Sequence, residues 1–80
     1  LQRINIVGCG SAFYASLIGV FILRELSDIT VEAFRASEFP AKNVCSAYSL
    51  TIGVSQSGET KDTLDALQKA QIYGSSITSF

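Results

Sequence analysis

Twice in these eighty residues a short apolar run closes on a turn of glycines and hydroxyls, then gives way to a long stretch without proline. The first run is Ile4-Asn5-Ile6-Val7, closed by Gly8-Cys9-Gly10-Ser11. The second is Tyr48 to Val54, closed by Ser55-Gln56-Ser57-Gly58-Glu59-Thr60. A strand that feeds a helix through a tight turn returns to its sheet by a right-handed crossover, which makes the next strand parallel to the first. Between the two units, Ile29 to Ala36 alternates apolar and polar side chains at period two, as a strand near a sheet edge does. Ser76 to Phe80 reads as the opening of a fourth strand. The expected fold class is therefore α/β: part of a doubly wound, mainly parallel sheet in a three-layer αβα sandwich.

The two proline-free stretches differ in character. Ala12 to Leu26 is apolar almost all round, which predicts an enclosed helix with one face on the sheet and another on a second helix or a partner. Ser11 is placed to cap it, and Ala15 and Gly19, four apart, would permit close approach on one side. The stretch after Gly58 is amphipathic. Glu59 and Asp62 fall in its first turn and Lys69 near its end, the arrangement the helix dipole favours. Leu64 and Leu67, with Ala70, should face inward, and Gly74 should end the helix as its C′ residue. In the intervening segment Ser37 is expected to cap a short helical turn with Pro40 inside its first turn, and Asn43 to Ala47 to be loop.

Composition bounds what such a chain can do. Eighty residues make one small domain that buries about 60% of its unfolded surface. With 48% of residues apolar and 16% charged, the chain looks built to be covered on several sides. A formal net charge of −1 gives no support to nucleic-acid binding. The longest apolar stretch, Leu17 to Leu23, falls well short of the ~20 residues that span a bilayer. With no basic leader either, a soluble cytoplasmic protein is expected. Cys9 and Cys45 form no C-x-x-C motif and suggest a reducing compartment. The start at Leu1 and the stop inside a strand-like run suggest that residues 1–80 are a fragment of a single domain, truncated at both ends.

In a doubly wound sheet, ligands lie beyond the carboxyl ends of the strands, where the strand order reverses. Both glycine turns occupy such ends, so if their strands are neighbours the turns face one another across one crevice. Ser55, Gln56, Ser57 and Thr60 crowd around Gly58 at a helix start, where unpaired N–H groups and the dipole attract an anion. A dinucleotide would need a third glycine where Phe13 stands; Glu32, the nearest ribose-binding acid, lies mid-strand, and no Gly-Lys-Ser/Thr loop exists. With no histidine in the chain, Cys9 has no imidazole base here, and two distant cysteines cannot assemble zinc. No catalytic residue, metal or cofactor is expected. A phosphate held by hydroxyls and a helix start suits a small phosphorylated metabolite that must leave again. The plainer account makes Ser57 an N-cap, Thr60 and Glu59 first-turn residues and Cys9 a small buried side chain. It leaves Ser55-Gln56-Ser57 unexplained.

These residues also form a familiar set. Ser55-Gln56-Ser57-Gly58-Glu59-Thr60 with Asp62-Thr63-Leu64 closely resembles the signature of the sugar isomerase (SIS) domain. Cys9-Gly10-Ser11 resembles that family's Cys-Gly-Thr-Ser turn, and Ala36-Ser37-Glu38-Phe39 its Ala-Ser-Glu-Phe segment. Nearly all eighty residues are covered, and the similarity is greatest to the isomerase half of the glutamine–fructose-6-phosphate amidotransferase family. The resemblance implies that Ser55, Gln56, Ser57 and Thr60 bind the phosphate of a hexose 6-phosphate while Ser11 reaches the sugar. Gly8, Gly10 and Gly58 shape the turns. It implies further partners in the remainder of the chain, a second SIS domain with the proton-transfer groups and possibly a glutaminase domain, and a homodimer. Ala12 departs from the pattern where the family carries a second hydroxyl. That departure gives weight to a related isomerase or deglycase acting on another phosphosugar, and SIS-type phosphosugar sensors share the same pocket chemistry.

Overall fold

The computed structural model describes residues 1–55 and 60–79. In chain order it contains β1 (Arg3–Gly8), α1 (Gly10–Leu26), β2 (Thr30–Arg35), a 3₁₀ turn (Ala36–Glu38), α2 (Ala41–Val44), β3 (Ser49–Val54), α3 (Thr60–Ile72) and β4 (Ser76–Ser79). The four strands form one sheet in the order β2-β1-β3-β4, with every neighbouring pair parallel. The chain winds outward from β1 to β2 and then, after crossing back, outward from β3 to β4. The reversal point thus lies between β1 and β3. The alternating strand takes the edge position its sequence suggests.

The sheet is filled from both sides because the strand pleat sends neighbouring residues to opposite faces. On one face, Val7 joins Phe39, Ala41, Ala66, Leu67 and Ala70 in a core under α2 and α3. Phe34 and Phe39 meet edge to face there, with ring centroids 5.4 Å apart. On the other face, Ile6 and Val31 pack against Val20 of α1. Three layers result, as the alternation of strands and helices requires.

Several local expectations need correction. Helix α1 begins at Gly10, whose φ of 53° lies in the left-handed region. Glycine enters that region without steric cost, so the helix starts earlier and Cys9 becomes its N-cap. The Cys9 carbonyl accepts from the backbone N–H groups of Ala12 and Phe13 at 3.0 and 3.3 Å, and no side chain caps this end. Ser11 lies within the first turn instead of before it. Ser37 likewise sits inside the 3₁₀ turn and caps nothing, α2 begins after Pro40, and its helical residues extend to Val44, into the expected loop. In α3 the inward residues are Thr63, Ala66, Leu67 and Ala70, whereas Leu64 is half exposed at 50%. Small side chains let α3 sit low on β3, over Gly53, and Leu64 falls one step around the helix from that seat.

Other expectations hold. Asp62 and Lys69 occupy the first and last turns of α3. Gly74, at φ 93°, ends it: the Ser75 N–H donates to the Ala70 carbonyl and the Gly74 N–H to the Gln71 carbonyl, both at 3.0 Å. That pair of bonds is the Schellman arrangement. Helix α1, by contrast, is not enclosed as its sequence predicts but only covered on one side. Ala12, Ser16 and Val20 are buried against the sheet, but Tyr14, Leu17, Ile18, Phe21 and Ile22 are 45–68% exposed. Beside it, a groove of about 280 Å³ runs between Ala15, Ser16, Gly19 and Leu23 and the strand residues Ile6, Ile52 and Val54.

Candidate functional site

The ends of β1 and β3 meet at the carboxyl edge of the sheet. Gly8, the last residue of β1, is the register partner of Val54, the last residue of β3. A side chain on Gly8 would find three backbone atoms at its first carbon: the Val54 carbonyl oxygen at 3.1 Å, the Phe13 nitrogen at 3.2 Å and the Ala12 carbonyl carbon at 3.3 Å. Absence of that carbon brings the ends of β1 and β3 and the first turn of α1 together. Ser11 is exposed on that first turn, Ser55 directly follows β3 and is half-buried, and Thr60 opens α3. Of the residues expected to hold the phosphate, Gln56 and Ser57 lie outside the described residues, as do Gly58 and Glu59.

Two contacts tie α3 to this edge. Cys9 Sγ and Thr63 Oγ1 are 3.9 Å apart, joining the first turn to the start of α3. Below them, Gly53 leaves room for Thr63 and Leu67, whose nearest atoms would lie 2.8 Å from an added Cβ. Cys9 is half-buried against the core beneath α3, and neither it nor Cys45 is in a disulfide. Its position fits a small packing residue. Ala12, where a second hydroxyl would resemble the family more closely, is 3% exposed. Its carbonyl accepts a hydrogen bond from Ser16 Oγ at 2.8 Å.

Three features escaped the sequence. The first is a buried polar cluster under α2 and α3, where Asn5, Ser49, Thr51 and Ser75 are each 0–4% exposed. Asn5 Nδ2 donates to the Val44 carbonyl at 3.0 Å and to Thr51 Oγ1 at 3.4 Å. Ser75 Oγ lies 2.9 Å from both Ser49 Oγ and Thr51 Oγ1. Asn5 in an otherwise apolar run, and Ser49 and Thr51 two apart in β3, were its only signals. The second is the partner of Glu32, which forms an ion pair with Arg3.

The third is a pair of cations at the carboxyl edge. Lys61 is exposed in the first turn of α3, and Arg35 ends β2 as the register partner of Gly8. The Arg35 guanidinium lies 4.6 Å from the Phe13 ring centroid and 5.6 Å from that of Tyr14. Its Nη2 donates to Tyr14 Oη at 3.3 Å. That hydrogen bond first, and then the charges of Tyr14 and Glu38, hold the guanidinium pKa above its ordinary value.

A parallel sheet wound both ways from β1 and β3, with helices on both faces, is the framework of a doubly wound α/β domain. The chain belongs to the SIS domain family, whose model matches residues 2–79. Among curated relatives it is 44% identical over 78 residues to the glutamine–fructose-6-phosphate aminotransferase (isomerizing) of Clostridium tetani. To the protein of the same name from Gloeobacter violaceus it is 47% identical over 78 residues. These alignments cover 96% and 92% of this chain, and the chain spans only 13% and 12% of those proteins. Among solved structures, a Bacillus subtilis protein assigned as a phosphosugar isomerase superposes with a TM-score of 0.87 at 24% identity, over 99% of this chain and 25% of that one. At that identity the likeness speaks for the fold.

Proposed function

We propose that this chain is the phosphate-holding part of an enzyme like the glutamine–fructose-6-phosphate amidotransferases, which would convert fructose 6-phosphate to glucosamine 6-phosphate with glutamine nitrogen. The observation that supports this reading is the register of Gly8 with Val54, which brings together at the strand-order reversal, where α/β sheets take ligands, the strand ends that lead to Ser11 and Ser55. The helix start at Thr60 adds backbone N–H groups and a positive dipole end to the same edge.

The phosphate is the end of the sugar where nothing reacts. Its binding energy would fix C1 and C2 against acid and base groups supplied elsewhere, which is how remote binding lowers a barrier. On this reading those acid and base groups belong to other parts of the enzyme, and this part is the anchor. Calorimetric titration tests the reading. Fructose 6-phosphate should bind while fructose, lacking the phosphate, binds far more weakly; equal affinity for the two would overturn it.

The same reading makes the protein a cytoplasmic homodimer. Free thiols on Cys9 and Cys45 agree with a reducing compartment, and no helix among the described residues is long and apolar enough to cross a membrane. The exposed stripe of α1 supports self-association through that helix.

A further inference from the structure

Arg35 is a charge packed against α1 at the carboxyl edge of the sheet. Across Gly8 its backbone stands two strand spacings, about 10 Å, from that of Val54, the end of β3 that leads into Ser55. Surface arginines ordinarily sample many rotamers, because ordering one costs side-chain entropy. Here two aromatic faces and a hydrogen bond fix the guanidinium against the opening turns of α1, the same turns that hold Ser11. Among the described residues no carboxylate forms an ion pair with it; the ion pair there joins Arg3 to Glu32. Glu38 lies near enough to favour the charged form without neutralising it by contact.

We propose that Arg35 is an electrostatic guide for the anionic ligand, acting on the phosphate from the rim without touching it. This rests on the phosphosugar reading above. A phosphomonoester carries a charge of about −1.5 to −2 at neutral pH. One positive charge about 10 Å from the phosphate through solvent, a separation of the order of the backbone spacing, would favour binding about fourfold at low ionic strength, and about 1.5-fold once physiological salt screens it. Lys61, on a flexible stem, remains in every variant compared and cancels.

The test separates charge from packing. Arg35→Met keeps an apolar stem over Phe13 and removes the charge, whereas Arg35→Lys keeps the charge and loses the planar stack. Dissociation constants for fructose 6-phosphate and for fructose are measured by calorimetry at low and at physiological ionic strength, with melting curves to verify folding. The guide predicts that Arg35→Met weakens fructose 6-phosphate binding about fourfold at low salt. The gap should close as salt rises, Arg35→Lys should bind like the parent, and fructose should be indifferent to both changes. An Arg35→Met protein that binds like the parent at low salt overturns the proposal. So does an Arg35→Lys protein that loses as much as Arg35→Met, since stacking would then be the whole contribution. A parent that does not distinguish fructose 6-phosphate from fructose overturns the phosphosugar reading itself, and the guide with it.

Discussion

Replacing Gly8 by alanine puts the meeting of β1, β3 and the first turn of α1 to a physical test. Positive φ values occur at Gly10 and Gly74, so the demand at Gly8 is steric. The new methyl would stand 3.1–3.3 Å from three backbone atoms, closer than ordinary van der Waals contact. None of them can rotate away as a side chain could. The ends of β1 and β3 must separate by a few tenths of an ångström, or α1 must lift. Overpacking of this kind costs about 1–3 kcal/mol, of which the stiffer unfolded chain returns about 0.4–1 kcal/mol. For a domain of this size each kcal/mol lost lowers Tm by about 4–8 °C. Because the strain falls between Ser11 and Ser55, affinity for fructose 6-phosphate should fall several-fold as well, since binding geometry is sensitive on this scale. Gly19→Ala is the control. Its added carbon meets nothing within 4 Å, and alanine in a helix interior is worth about 1 kcal/mol over glycine, so Tm should rise with binding unchanged. A Gly8→Ala protein that melts no lower than the parent and binds equally well would refute the close-approach argument.

Other consequences are open to measurement. Thr51→Val keeps the shape of a fully buried side chain but takes a hydroxyl from Asn5 and Ser75; urea unfolding should show a loss of about 1–3 kcal/mol, and an unchanged midpoint would mean that the polar cluster contributes nothing. Gly74→Ala forces φ 93° on an L residue and should cost about 1–2 kcal/mol in the same assay. Phe21→Glu charges the centre of the exposed α1 stripe, where the parent residue is 68% exposed. Sedimentation should shift from dimer to monomer without loss of helicity, and a protein that is monomeric before the change rules out pairing through α1.

The fold was legible because its signals were periodic and local. Apolar runs closed by glycine turns, a strand alternating at period two, and Gly74 at the end of an amphipathic helix led to the observed order of elements. Strands β1 and β3 proved to be neighbours, as a shared crevice requires. Less legible was which side of an element would be covered. In β3 the apolar residues Leu50, Ile52 and Val54 are only half-buried, while Ser49, Thr51 and Gly53 are buried beneath α3. Hydroxyls that satisfy one another can be buried at little cost, and period two alone does not say which face receives the helix. Helix α1 shows the converse. Its all-round apolarity predicts enclosure, but these residues supply a sheet to only one of its faces.

Capping was read too literally. Ser11 and Ser37 have the right chemistry for N-caps, but the left-handed Gly10 starts α1 one residue before Ser11, and Ser37 falls inside the 3₁₀ turn. Arg35 was invisible for a different reason. It is distant in sequence from both glycine turns and reaches the crevice rim only through the pairing of β2 with β1.

The central claim is that the turn after β3 grips a phosphate. Its most direct test is Ser57→Ala combined with Thr60→Ala, titrated with fructose 6-phosphate and with fructose. Removing two hydroxyls from a charged partner, at about 1.5–3 kcal/mol for each hydrogen bond, should raise the dissociation constant for fructose 6-phosphate by two or more orders of magnitude, roughly, and leave fructose nearly untouched. Equal losses for both sugars, or none for either, would contradict the assignment.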